Sequence, residues 1–282
     1  MADEGDARSP SPDSAGRAMI SPSDLQARLA SAIGPTGPCR PLGGSAWGVE
    51  ASGRSLVAKS SAGALDEADG LRSLRAVAGA PPVPDVVFAE ADLLVTTAVD
   101  QVPRRAGHEE ALGRALAALH GAPYPHWGGG SSWIGGCPID PSQWPDAAGF
   151  YGARLGELAL RCGLQKAVAA VTGRLGELLP SGGPSLLHGD LWWGNVLFGV
   201  DGQSWLIDPS VHGGHPEEDL AMLALFGTVP DRLLRAYEEV HPLSAGWQER
   251  VALFQLYPLL VHTVLFDGAY RAQAEAVARR FS

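Results

Sequence analysis

Three side chains in the second half of the chain fall in the order and spacing that phosphoryl transfer requires: Asp190, Asn195 and Asp208. A carboxylate must accept the proton of an attacking hydroxyl, and an amide oxygen one loop's length away can hold a magnesium ion. The segment His188-Gly189-Asp190-Leu191-Trp192-Trp193-Gly194-Asn195 supplies both. Alone, H-x-D-x-x-x-x-N is a weak pattern; the residues after it make it specific. Val196-Leu197-Phe198 reads as a strand, Asp201-Gly202 as its turn and Ser204 to Ile207 as the returning strand. In such a hairpin positions 195 and 208 lie side by side. Two hard oxygen ligands, suited to Mg²⁺ bridging nucleotide phosphates, then meet at one end.

A second pair lies upstream. Lys59 ends the strand-like run Ser55 to Lys59, and Glu67 sits four residues before Leu71 on the apolar face of a helix. A carboxylate there is costly to bury unless paired, and Lys59 is the partner at hand, with the lysine in turn facing α- and β-phosphates. Gly43-Gly44-Ser45 precedes that strand, and glycines let backbone amides approach phosphates closely. No Gly-Lys-Ser or Gly-Lys-Thr follows, so this is no Walker A loop. Trp192, beside the base, is placed to wall a sugar site or to anchor the loop. His188 reads as a loop brace, and Asp219 as a helix cap or brace.

The elements that must position these residues divide into two kinds. Residues 1–22 are rich in Ser, Pro, Asp, Gly and Ala and read as a disordered tail. Residues 23–98 read as a short amphipathic helix, a hairpin turning at Gly53-Arg54, a helix from Ala64 to Ala78 and strands at Val86–Phe88 and Leu93–Thr97. Residues 99–282 are mainly helical, with helices at Glu109–His120, Phe150–Leu164 and Lys166–Leu179 and again from Glu217 onward. Short strands interrupt them between Leu186 and Ile207. The Gly-, Trp- and Pro-rich stretch 121–145 reads as a long irregular loop of functional kind. The fold class is α+β: a small antiparallel-sheet lobe followed by a larger helical lobe around a cleft.

Composition removes several alternatives. A formal net charge of −10 over 282 residues argues against nucleic-acid binding, which needs clustered Lys and Arg. Three cysteines without paired spacing form neither a disulfide framework nor a zinc site, so a cytoplasmic location is expected. The run Leu253–Phe266 is too short and too interrupted to span a bilayer, and no secretory signal is visible. A buried helix and a monomer without membrane partners are expected.

Taken together, these residues resemble the fructosamine kinase (ketosamine kinase) family, within the aminoglycoside phosphotransferase and choline kinase group of protein-kinase-like bilobal folds. The resemblance runs through Glu67-Ala68-Asp69-Gly70-Leu71, Trp133-Ile134-Gly135, the 188–195 segment, Asp208-Pro209, Gly214 to Met222 and Leu256 to His262. It implies ATP and Mg²⁺, a sugar-amine acceptor free or protein-bound, and phosphorylation of the sugar 3-hydroxyl in a deglycation step. Asp190 would be the base, Asn195 and Asp208 the metal ligands, Lys59 and Glu67 the phosphate lysine and its partner. The adenine hinge would fall near Thr96 and Thr97, and Trp192, His212 and His215 would face the acceptor. His212-Gly213, Pro141 and Trp193 depart from the family pattern on the acceptor side, and Ser45 replaces a redox-active cysteine of some relatives. An aminoglycoside, homoserine or choline-like acceptor and a non-catalytic pseudokinase are the rival readings. All four of Lys59, Asp190, Asn195 and Asp208 being present argues against the last.

Overall fold

The computed structural model describes residues 20–282. The tail expected over 1–22 therefore lies outside the described residues except at its end. There Ser21 caps the first helix, its hydroxyl accepting from the Asp24 N–H at 3.1 Å with Pro22 at the first helical position. That helix, α1 (Pro22–Ile33), begins one residue before the Ser23 start read from the sequence. Its Leu25 and Leu29, one turn apart, are fully buried against the first sheet together with Val49, Leu56 and Val95.

The first sheet contains β1 (Arg40–Gly43), β2 (Ala46–Ala51), β3 (Arg54–Ser60), β4 (Val86–Glu90) and β5 (Leu93–Thr97), antiparallel throughout in the order β1-β2-β3-β5-β4. The β2–β3 turn is Ser52-Gly53, one residue earlier than expected. Both residues have positive φ, 51° and 74°, the geometry of a two-residue turn that matches strand twist. Between β3 and β4, α2 (Ala64–Arg75) buries Ala64, Ala68, Leu71 and Leu74. This face shares one core with Leu112, Leu116, Val211 and Leu220 from the second half of the chain. Gly70 permits the close approach: a Cβ there would lie 3.0 Å from Pro209 Cγ and 3.1 Å from Val211 Cγ2.

The remainder is mainly helical. After α3 (Ala106–His120), the segment expected to be an irregular loop holds four two-residue strands: β6 (Trp127–Gly128), β7 (Trp133–Ile134), β8 (Cys137–Pro138) and β9 (Gln143–Trp144). Then come α4 (Ala147–Cys162), α5 (Gln165–Thr172) and α6 (Leu175–Leu178), two helices where one was expected over Lys166–Leu179. Next are β10 (Ser185–Leu187), β11 (Val196–Phe198), β12 (Ser204–Leu206) and β13 (His212–Gly214). The chain closes with α7 (Glu217–Leu225), α8 (Asp231–Glu238), α9 (Trp247–Phe266) and α10 (Ala269–Phe281). Strands β10, β13, β6 and β9 form a second sheet, while β11–β12 and β7–β8 are separate hairpins. Helices α4, α9 and α10 supply most of a third core, which includes Phe150, Leu158, Phe254 and Leu260. Helix α9 is the buried helix expected around Leu253–Phe266. Among the described residues, no helix is long and apolar enough to cross a membrane.

Candidate active site

The β11–β12 hairpin pairs Val196 with Leu206, and the Ile207 N–H donates to the Asn195 carbonyl at 3.1 Å. Positions 195 and 208 therefore meet at one end of the hairpin, as its register requires. Just before it, Trp193–Asn195 forms a single 3₁₀ turn that returns the Asn195 amide to Asp190: Nδ2 donates to the Asp190 carbonyl at 2.8 Å and to Oδ2 at 3.3 Å. With the amide nitrogen so used, the amide oxygen is the end available to a cation. Asp208 adopts a positive φ of 55°, a conformation unusual for any residue with a Cβ and one that a surrounding structure must hold.

Across the cleft, Lys59 on β3 points at both halves of the site. Its Nζ lies 2.9 Å from Glu67 Oε2 and 3.0 Å from Asp208 Oδ1. One cation thus serves two carboxylates. Burial works against the Lys59 charge, but Asp208 and Glu67 together hold its pKa above the ordinary lysine value. Asp208 is the more exposed carboxylate, its side chain 38% accessible against 12% for Glu67. Burial raises the Asp208 pKa and Lys59 lowers it, the second effect prevailing. Burial pushes Glu67 up to about 7 against the pull of Lys59. Burial and the neighbouring Asp208 charge likewise push Asp190 up to about 7, with Asn195 and Lys59 opposing. A carboxylate of that pKa is suited to accepting a proton near neutral pH.

The loop carrying Asp190 is braced from beneath by buried polar groups. Asp219, at the start of α7, accepts the His188 N–H at 2.8 Å and the Gly189 N–H at 2.9 Å. It also takes the His120 Nε2–H at 3.1 Å, and the Tyr237 hydroxyl lies 2.9 Å from the other nitrogen of that ring. The expected bracing roles of His188 and Asp219 match this geometry. The fully buried His188 ring donates to the Ile207 carbonyl at 3.0 Å, and its Nδ1 faces the Asp190 amide at 3.3 Å. Gly189 has φ +79°, and a Cβ there would collide with the Ser210 carbonyl, so this loop admits only glycine at that point.

Three consecutive carboxylates at the α7 N-terminus are buried, each with its own partner. Glu217 takes a bidentate grip from Arg250 at 2.8 and 2.5 Å. Glu218 accepts from the Tyr151 hydroxyl at 2.6 Å and faces His212 Nε2 at 2.9 Å. This places His212 in the interior, its Nδ1 2.9 Å from the Ser210 carbonyl. His215 is buried as well, stacked on Phe254 with ring centroids 5.6 Å apart. Burial, helped by Arg250, lowers its pKa to about 3. Both histidines expected on the acceptor side are thus enclosed in this geometry, His212 on β13, an inner strand of the second sheet, and His215 just after it against Phe254. Sequence reasoning missed His120, Tyr237, Tyr151 and Arg250. The one available signal was the run Glu217-Glu218-Asp219 directly before an apolar helix.

The remaining expected residues are spread around the cleft. Trp192 is half-buried and packs edge-on against Phe226, centroids 6.1 Å apart. Trp193 lies under the Arg104 guanidinium, 3.8 Å from it, and Pro141 is exposed between β8 and β9. Gly43, φ 126°, ends β1; Gly44, φ 53°, and Ser45 make the β1–β2 turn, and the Ser45 carbonyl accepts from the Ser60 N–H at 3.3 Å. Thr96 and Thr97 end β5, where the Thr97 hydroxyl accepts from the Asp85 N–H at 2.9 Å.

An antiparallel sheet with one buried helix, set over a helical half that carries the Asp190 loop, defines the protein-kinase-like fold. A choline kinase from Streptococcus pneumoniae, 13% identical, shares that fold alone, with a TM-score of 0.63 over 92% of this chain and 97% of its own. The family model for fructosamine kinase matches residues 58–281, and the chain belongs to that phosphotransferase family. A crystal structure from Thermobifida fusca, provisionally named a fructosamine-3-kinase, is 36% identical with a TM-score of 0.82, covering 90% of this chain and 97% of that one. The probable ketoamine kinase of Lactiplantibacillus plantarum is 31% identical over 76% of this chain and 80% of its own. Two other bacterial relatives of the same description match over only 35% and 60% of their own lengths.

Proposed function

We propose that this chain is an ATP- and Mg²⁺-dependent ketosamine kinase that phosphorylates the 3-hydroxyl of a sugar joined to an amine. The observation that carries the reading is the junction at Lys59, whose ammonium lies within 3.0 Å of both Glu67 and Asp208, with Asp190 and Asn195 hydrogen-bonded beside it. Residues 23–98 act as the nucleotide-binding lobe and residues 99–282 carry the base and receive the acceptor. Gly43, Gly44 and Ser45 cover the phosphates, and Thr96 and Thr97 lie at the adenine hinge.

The donor chemistry of the site fits magnesium. Asn195 offers an amide oxygen and Asp208 a carboxylate, and two protein oxygens are what Mg²⁺ takes when nucleotide phosphates and waters complete its octahedron. When bound there, the ion neutralises charge developing on the transferred group. Lys59, oriented by Glu67, holds the α- and β-phosphates. Asp190, fixed by Asn195, orients the acceptor hydroxyl and takes its proton as the phosphorus–oxygen bond forms and ADP leaves. Catalysis rests on positioning and charge neutralisation more than on proton transfer. Trp192 forms a wall of the sugar site. The match over residues 58–281 favours a ketosamine over an aminoglycoside acceptor.

ADP release from Mg-ATP with fructosyl- or ribulosyl-lysine, with Asp190→Ala as the blank, tests the proposal. Turnover that vanishes in the variant supports it. Mg-ATP binding without turnover on either acceptor rejects the ketosamine assignment.

A further inference from the structure

Asp66 precedes Glu67 on α2 and has no part in the phosphate chemistry above. Its Oδ2 accepts from the backbone N–H of Ser132 at 2.7 Å and from the Ser132 hydroxyl. Ser132 belongs to the 121–145 stretch, more than sixty residues away along the chain. On either side of it the same stretch is fastened to the segment after Asp208. The Ser131 N–H donates to the Val211 carbonyl at 2.8 Å, and the Ser210 hydroxyl donates to the Trp133 carbonyl at 2.8 Å. The Trp133 side chain also packs against the start of α2, where a Cβ on Gly63 would lie 3.1 Å from its Cβ.

Ser131, Ser132 and Trp133 therefore hold two things at once: the first turn of α2, which carries Glu67, and residues 210–211, just beyond Asp208. Glu67 and Asp208 are the two carboxylates that share Lys59. We infer that the Asp66–Ser132 pair is a latch that fixes the rotation of α2, so that Glu67 stays on Lys59 when nucleotide binds. Asp66 and Ser132 are positioning residues, acting on the phosphates only through Glu67 and Lys59. The inference rests on the phosphotransfer reading for its functional consequence, though not for the latch itself. A simpler role for Asp66, a favourable charge in the first turn of a helix, requires nothing of Ser132.

The test uses the full chain with Asp66→Ala, Ser132→Ala, their double variant, Ser132→Thr, Glu67→Gln and Ser132→Ala/Glu67→Gln. Hydrogen exchange over residues 64–75 reads helix α2 without ligand, and calorimetric titration with Mg-ATP reads the phosphate site without any acceptor. Loss of a hydrogen bond to a charged group corresponds to about tenfold. Ser132→Ala, which keeps the backbone bond, should speed α2 exchange and weaken Mg-ATP by about that factor, and Asp66→Ala, which removes both bonds, by more. The double variant should be no worse than Asp66→Ala alone, and Ser132→Ala should cost nothing further once Glu67 is Gln. Ser132→Thr, which keeps the hydroxyl, should restore both readouts. Unchanged α2 exchange in Ser132→Ala overturns the latch, as do losses that add fully to that of Glu67→Gln. If the wild-type chain binds no Mg-ATP, the proposed function falls, and the exchange arm alone decides the latch.

Discussion

Asp208 Oδ1 lies 3.0 Å from Lys59 Nζ, and the Asp208 backbone is held at a positive φ of 55° to put it there. A non-glycine residue in that conformation is stabilised only by its surroundings. Here these are the end of the β11–β12 hairpin, the packing of Pro209 on Gly70 and the pull of the lysine. The strained residue, the cation and the second carboxylate form one unit.

That unit makes Lys59 the most sensitive position in the first lobe. Lys59→Met should lower kcat by about a hundredfold or more, the loss typical of removing a preorganised charge stabiliser. Fold should survive, because Leu56 and Ala58 on the same strand remain buried in the sheet core. Steady-state ADP release and a thermal melt measured together check this. Activity within about threefold of wild type would remove Lys59 from the mechanism.

Asp219 tests whether the Asp190 loop is held from below. Burial works against its charge, but hydrogen bonds from His120 and the loop amides keep its pKa under the usual carboxylate range. Asp219→Asn would turn an amide N–H₂ toward backbone donors that expect an acceptor. At about 1.5–3 kcal/mol for a hydrogen bond to a charged group, the variant should lose several kcal/mol in urea unfolding and much of its turnover together. Full stability with lost turnover would instead place Asp219 in the chemistry.

His215 gives the pH dependence. Its native pKa of about 3 lies below the 6.5 of an unfolded histidine, chiefly through burial. Between those values the unfolded chain binds a proton that the native chain does not. Stability from this group is therefore complete above about pH 7 and falls as pH is lowered through 6.5 toward 3. The limit is about 5 kcal/mol, at roughly 1.4 kcal/mol for each pH unit between the two pKa values. His215→Phe, which preserves the stack on Phe254, should flatten that part of the curve in urea titrations between pH 4 and 8. An equal slope in both proteins would assign the acid lability elsewhere.

The meeting of the candidate site residues was more legible in the sequence than the scaffold around them. Asp190, Asn195 and Asp208 could be placed together because a strand, an Asp-Gly turn and a strand fix register, and register fixes neighbours. The Lys59–Glu67 pair came from helical spacing and from the cost of burying a lone carboxylate. The 121–145 segment was opaque because its strands are two residues long, too short to show any alternation. Strand β13 is His212-Gly213-Gly214, and glycines carry no strand signature, so the enclosure of His212 was invisible. Asp219 was legible as a cap or brace, but only tertiary partners from α3, α4 and α9 make Glu217-Glu218-Asp219 an interior anchor. Each miss concerns contacts between distant parts of the chain, which local pattern does not encode.

Gly70 is where local propensity and tertiary contact predict opposite outcomes. In an isolated helix, Gly→Ala gains about 1 kcal/mol, so on sequence grounds Gly70→Ala inside α2 should stabilise the protein. The structure reverses the expectation. The added Cβ would meet Pro209 Cγ at 3.0 Å and Val211 Cγ2 at 3.1 Å, tighter than ordinary van der Waals contact, in a core shared by both halves of the molecule. Relief requires α2 to back away from the segment after Asp208, and Glu67 moves with it. Gly70→Ala should therefore gain no stability and should lower kcat severalfold, with a weaker effect on the acceptor KM. Thermal melting and ADP-release kinetics on the same preparation decide it. A gain of about 1 kcal/mol with unchanged kcat would mean that α2 and the Asp208 segment are not mechanically coupled.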